Sequence, residues 1–164
     1  MRQDTAPAAT SQKVRGTSVS LDHEPYSFFP KLKLDLSNRK PKGTCGPKVL
    51  IIDDDQDLCL GLRIRLQACY DTYVANDAGA GLSLAFTEMP DVIILDIGLP
   101  DYDGYFFLRS LSEIPGLAGV PVIVVTGRDR LIHEWRCLEA GATLFFQKPV
   151  DNRNLSIAIQ QLVG

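Results

Sequence analysis

Three consecutive carboxylates, Asp53, Asp54 and Asp55, follow the apolar run Val49-Leu-Ile-Ile52, and a fourth, Asp96, follows Val92-Ile-Ile-Leu95. A hydroxyl, Thr126, ends the run that begins at Val122, and an ammonium, Lys148, follows Phe145-Phe-Gln147 and precedes Pro149. Carboxylates brought within a few ångströms of one another repel and raise each other's pKa. A divalent cation removes that conflict. Mg²⁺ suits it best, because it takes oxygen ligands, keeps several waters and is usually held by one or two carboxylates plus phosphate oxygens. Beside such an ion a carboxylate can act as a nucleophile toward an anionic phosphoryl group. A lysine can then pair with the phosphoryl oxygens and a threonine can donate to one of them. The chemistry suggested is phosphoryl transfer by positioning and electrostatics. Each residue alone has a plainer reading: the aspartates as a solvated turn and helix cap, Lys-Pro as an exposed turn, Thr126 as a hydroxyl bonded to backbone.

These groups meet only if four strand ends share one edge. Residues 48–52 are continuously apolar after the first, as in a strand covered on both faces. Leu58, Leu62, Leu66 and Cys69 then recur at helical spacing. Residues 72–75 read as a second strand. Asn76 or Asp77 can cap a helix carrying Ala78, Leu82, Ala85 and Phe86, ended by Pro90. Residues 91–96 form a third strand, and 104–111 a short helix with Phe107, Leu108 and Leu111 inward. Residues 120–126 form a fourth strand, and 131–140 a helix with Gly141 as its C-terminal cap. Residues 143–147 form a fifth strand, and 152–163 a last helix with Leu155, Ile159 and Leu162 inward. Strands alternating with helices predict an α/β fold: an open parallel sheet with helices on both faces. Ligands of such sheets lie beyond the carboxyl ends of the strands, where strand order reverses.

The 164 residues have room for one core and a tail. With 45% apolar residues, 23% charged residues and a net charge of −3, the chain is no disordered polymer, collagen-like repeat or strongly basic nucleic-acid binder. No apolar run reaches the roughly 18 residues that would span a bilayer. No stretch resembles a signal peptide, so a cytoplasmic location is expected. Cys45, Cys59, Cys69 and Cys137 form no CxxC pair and read as reduced thiols. Residues 1–46 carry eight Lys and Arg against four Asp and Glu, a net of +4; residues 47–164 carry nine against sixteen, a net of −7. The first segment, broken by Pro7, Pro25, Pro30 and Pro41, reads as a disordered basic tail and linker. Its Leu32, Leu34 and Leu36, alternating with Lys31, Lys33 and Asp35, carry the alternative of a docking segment.

Four motifs, in order, carry a resemblance. Val49-Leu-Ile-Ile-Asp-Asp-Asp55, Asp91-Val-Ile-Ile-Leu-Asp-Ile-Gly-Leu-Pro-Asp-Tyr-Asp-Gly104, Pro121-Val-Ile-Val-Val-Thr-Gly127 and Phe145-Phe-Gln-Lys-Pro149 together resemble the receiver domain of bacterial two-component response regulators. The resemblance covers residues 47–164 and implies a flavodoxin-like doubly wound sheet of order 2-1-3-4-5. It implies that Asp96 is the phosphoacceptor and, with Asp54, a side-chain neighbour of Mg²⁺. Asp53 would hold metal-bound water, and the Gly98 backbone carbonyl would be a further ligand. Thr126 would follow the new phosphoryl group, Lys148 would pair with it, and Phe145 would be the switch aromatic. The implied donor is a histidine kinase or a histidine phosphotransfer protein. The implied response is a population shift in the face made by the fourth helix, fifth strand and fifth helix. No output domain follows within the sequence, so a stand-alone regulator is expected. Its output would be protein contact (a target, a relay partner or a homodimer through that face) without direct DNA or membrane binding.

Some positions depart from the pattern. Gly98 has no side chain two residues after the acceptor, Arg128 stands two residues after Thr126, and Phe145 lacks a hydroxyl. The resemblance therefore implies a slower loss of the phosphoryl group than in fast chemotaxis-type regulators. One competing reading is an aspartate-nucleophile phosphatase of the haloacid dehalogenase type, with Asp53 and Asp55 as its Asp-x-Asp pair; Asp57 stands where such an enzyme needs Thr or Val. Another is a binding module on the same fold that needs no phosphorylation. An EF-hand loop at Asp53-x-Asp55-x-Asp57 fails, because Leu58 sits where Gly is required and Ile64 where Glu is. His23 and His133 read as ordinary surface or packing residues, Tyr102 and Tyr105 as packing or loop residues, and Trp135 as a partly buried anchor, with the alternative of an exposed contact on the face that receivers use for partners.

Overall fold

The computed structural model describes residues 46–100 and 103–163. The tail proposed for 1–46, apart from Gly46, lies outside the described residues, as do His23, Cys45 and Tyr102. Five strands alternate with five helices: β1 (Lys48–Ile52), α1 (Gln56–Leu66), β2 (Asp71–Ala75), α2 (Ala78–Glu88), β3 (Val92–Leu95), α3 (Gly104–Glu113), β4 (Val122–Thr126), α4 (Arg130–Glu139), β5 (Leu144–Gln147) and α5 (Asn152–Val163). The strands pair in parallel in the order β2-β1-β3-β4-β5, the flavodoxin-like arrangement.

The continuous apolar runs of β1, β3 and β4 follow from this topology, since the inner strands are covered on both faces. One face joins Val49, Ile51, Val92, Ile94, Ile123 and Val125 to Cys59, Leu62 and Leu66 of α1 and to Leu155, Ala158 and Ile159 of α5. Each fully buried aliphatic side chain contributes about 1.5–3 kcal/mol. Ile52 faces the other side, where α2 approaches so closely that a Cβ on Gly81 would lie 2.7 Å from the Ile52 Cδ1. Each helix start is closed by an aspartate that accepts from a first-turn amide. Asp55 accepts from Leu58 at 3.0 Å, Asp77 from Ala80 at 2.7 Å and Asp103 from Tyr105 at 3.2 Å. Asp129 accepts from Leu131 at 2.8 Å and Asp151 from Arg153 at 2.7 Å. Of the two cap candidates before α2, the residue used is Asp77.

Some inward positions differ from expectation. Helix α1 buries Cys59, Leu62 and Leu66, while Leu58 is only half-buried and Cys69 is exposed. The cause is that α1 ends at Leu66, so Cys69 sits in the following turn and its amide bonds to the Leu66 carbonyl. Phe86 and Leu162 are half-buried rather than inward. Of the two readings of Trp135, the buried anchor fails, since the side chain is 56% exposed. Helix α4 is rolled so that Cys137 alone is buried, which turns Leu131, Trp135 and Leu138 to the outside. Gly141 follows the α4 cap residue Ala140 with φ of +106°, a left-handed conformation that glycine adopts without strain.

Candidate functional site

Sheet register decides which side chains meet. Ile52 pairs with Leu95, and the Asp96 amide donates to the Ile52 carbonyl at 2.9 Å, so Asp53 and Asp96 leave adjacent strands side by side. On the other edge of β4, Thr126 pairs with Gln147, and the Lys148 amide donates to the Thr126 carbonyl at 2.7 Å. The Lys148–Pro149 peptide is cis.

The two buried carboxylates share one cation. Lys148 Nζ lies 2.7 Å from Asp53 Oδ2 and 2.7 Å from Asp96 Oδ2. The remaining oxygens are held by backbone: Asp53 Oδ1 accepts from the Asp55 amide at 3.0 Å, and Asp96 Oδ1 from the Gly98 amide at 2.7 Å. Asp53 is 3% exposed and Asp96 7%. Asp54, by contrast, is exposed. Burial raises the Asp53 carboxyl pKa more than the hydrogen bond from Lys148 lowers it. For Lys148, burial works against the charge, but the bonds to Asp53 and Asp96 outweigh it and the pKa is raised. A dehydrated carboxylate beside an exposed one calls for more positive charge than a single ammonium supplies. Ligand oxygens of Asp53, Asp54 and Asp96 lie within 4.8 Å of one another, a spacing that a hard divalent cation can bridge. The donor set fits Mg²⁺.

The remaining sequence candidates lie on β4, β5 and the loops that follow β1 and β3. Thr126 is fully buried, and its hydroxyl oxygen accepts from the Arg128 amide at 3.3 Å. Phe145 is buried in β5 opposite Val124. At Gly98 an added Cβ would stand 3.2 Å from Asp96 Oδ1, so a side chain there would press on the acceptor carboxyl. Asp55 is turned away from the cluster to cap α1. That leaves the Asp-x-Asp pair of the phosphatase reading unassembled. Two features escape any reading of spacing. The Cys59 thiol donates to the Asp53 carbonyl at 3.4 Å and ties α1 beneath the site. Tyr105 Oη lies 2.7 Å from His133 Nδ1, with the rings stacked at 6.2 Å. Each pair joins residues on different elements, and only the fold reveals it.

The chain matches the family model of the response regulator receiver domain over residues 49–160. It belongs to that family. The response regulator PleD of Caulobacter vibrioides is 31% identical over 116 residues, which is 70% of this chain and 26% of PleD. The KDP operon transcriptional regulatory protein KdpE of Escherichia coli is 39% identical over 102 residues, 62% of this chain and 44% of KdpE. The chain thus spans between about a quarter and a half of these relatives. A CheY-like receiver domain protein from Methanospirillum hungatei has a similar structure, with a TM-score of 0.66 and 31% identity over 71% of this chain and 92% of that one. A Francisella response regulator receiver domain gives a TM-score of 0.67 at 29% identity, covering 72% and 97%. Receiver domains serve as phosphoacceptor modules rather than classical enzymes, and the aspartate cluster of this one is where such chemistry belongs. No helix among the described residues is long and apolar enough to cross a membrane.

Proposed function

We propose that this receiver accepts a phosphoryl group on Asp96 from a histidine kinase or a histidine phosphotransfer protein and signals through protein contact. The observation that carries the reading is the ammonium of Lys148 shared between the buried Asp53 and Asp96 carboxylates, with exposed Asp54 beside them. Asp53, Asp54, Asp96 and the Gly98 carbonyl would hold Mg²⁺, which supplies the positive charge that lets two anions approach. An oxygen of Asp96 forms the new bond to phosphorus as the bond to the donor imidazole nitrogen breaks, and that nitrogen keeps the electron pair. Lys148 neutralises charge on the transferred group. The backbone amide of Gly98 keeps the carboxyl oriented.

Once Asp96 is modified, the Thr126 hydroxyl exchanges its bond with the Arg128 amide for one with the phosphoryl group. Residues 127–129 follow, and Phe145 repacks beside them. The surface of α4, β5 and α5 changes accordingly and serves as the contact face for a target or for a second copy. Its exposed Leu131, Ile132, Trp135, Leu138 and Ile157 suit that role. Residues 47–164 act as the receiver, with 1–46 as a basic tail, in the cytoplasm.

The test is to incubate the chain with Mg²⁺ and acetyl phosphate and to follow intact mass. The wild type gains one phosphoryl group. Asp96→Asn gains none, and chelating the metal abolishes the gain. Labelling of Asp96→Asn to the wild-type extent would overturn the assignment.

A further inference from the structure

Helix α4 buries little of its own surface. Of its ten residues only Cys137 is buried, whereas α3 buries five. A cavity of about 360 Å³ separates α4 from the loop after Asp96; its walls include Ile97, Leu99, Pro100, Arg128 and His133. A side chain of α3 reaches α4 beside it. Tyr105 places its hydroxyl 2.7 Å from His133 Nδ1 and stacks its ring on the imidazole at an interplanar angle of 28°. Burial, and then the nearby Cys137 thiol, push the Tyr105 phenol up to about 12. His133 and Cys137 lie one helical turn apart, on the side of α4 that faces the domain.

The other end of this contact is fixed to the acceptor loop. Gly104 lies so close to Ile97 that a Cβ would stand 2.4 Å from the Ile97 Cα. The Gly104 amide donates to the Ile97 carbonyl at 3.4 Å, and Asp103 caps the Tyr105 amide. A continuous path therefore runs from Asp96 through Ile97 and Gly104 to Tyr105, and from there to α4. Phe145, at the switch position on β5, has no hydroxyl with which to hold α4 by a hydrogen bond.

We propose that Tyr105 and His133 form a latch that holds α4 in the unmodified receiver, and that modification of Asp96 frees α4 by opening it. This rests on Asp96 as phosphoacceptor and names how that site is read out. Tyr105 and His133 are positioning residues, and the empty space beside them gives α4 room to move.

The experiment measures backbone amide exchange in α4, with α5 as an internal reference, before and after labelling with acetyl phosphate and Mg²⁺. In unlabelled Tyr105→Phe, which keeps the ring and loses the hydroxyl, α4 exchange should rise about fivefold, the effect of one net hydrogen bond, while α5 is unchanged. His133→Leu should do the same, and the double variant should add nothing further. Labelling should raise α4 exchange in the wild type and barely alter it in Tyr105→Phe. Unchanged α4 exchange in both single variants, additive effects in the double, or an equal response to labelling in wild type and variant would overturn the latch. Should one variant lose α5 protection as well, the other single variant decides. Failure of the wild type to label would count against the phosphoacceptor reading, whereas the unlabelled comparison still decides the latch.

Discussion

At the scale of single residues, the site balances charge with few parts. Removing Lys148 leaves Asp53 buried beside Asp96 without its cation. Lys148→Ala should therefore lower stability by about 1–3 kcal/mol in the absence of metal, and added Mg²⁺ should recover part of the loss; urea unfolding with and without the ion measures both. The sign with pH follows from Asp53, whose pKa burial already raises. As pH falls into the carboxylate range, Asp53 takes up a proton, the unpaired charge disappears and the deficit of the variant narrows. At Gly98 an added Cβ would lie 3.2 Å from Asp96 Oδ1, so any side chain placed there stands against the acceptor carboxyl. An amide placed there by Gly98→Asn can orient water toward the phosphoryl group and should shorten the lifetime of the labelled protein severalfold, equivalent to about 1 kcal/mol; loss of label over time after removal of the donor checks it. Cys59 offers a control on burial. Its thiol is pushed up to about 11, first by burial and then by Asp53, so at pH 8 only about one in a thousand is thiolate. Iodoacetamide on the native protein should modify exposed Cys69 and spare Cys59, as peptide mapping would show.

At the scale of elements, the sequence was informative wherever one physical signal dominated. The apolar runs of β1, β3 and β4 are legible because both faces of an inner parallel strand are covered. The polar residues that end them stand out by contrast, and the helices between them declare themselves by caps. Legibility fails where a helix has two apolar sides. In α4, Leu131, Trp135 and Leu138 form an apolar stripe as convincing as the inward side, yet they face outward, while His133 and Cys137 face the domain. Periodicity finds the stripe but does not say which side is covered. The end of α1 misleads for a similar reason, since the apolar repeat runs on to Cys69 after the helix has stopped. Close approach is likewise invisible in sequence spacing. Gly104 fits against Ile97 only without a side chain, and Gly104→Ala should cost about 1–3 kcal/mol by overpacking, measurable as a lowered urea midpoint.

At the scale of the whole molecule, the same outward roll of α4 provides a reporter. Trp135 is the one tryptophan in the sequence and is 56% exposed. Acrylamide should quench its fluorescence readily in the free protein. A partner or second copy that docks on the α4, β5 and α5 face should reduce the quenching constant severalfold; an unchanged constant in a demonstrated complex would place the contact elsewhere. Residues 47–164 are acidic, and five of their sixteen acidic side chains are placed at helix starts, where an aspartate caps each of the five helices.

The order of strands has a consequence for biosynthesis. Strand β1 lies inside the sheet, and one of its faces is covered by α5, which is synthesised only after all five strands. Until Leu155, Ala158 and Ile159 emerge, a nascent chain carries Val49 and Ile51 with that face incompletely sheltered. A chain cut short after residue 151 would keep all five strands and expose a sticky flank, prone to clump or to be degraded.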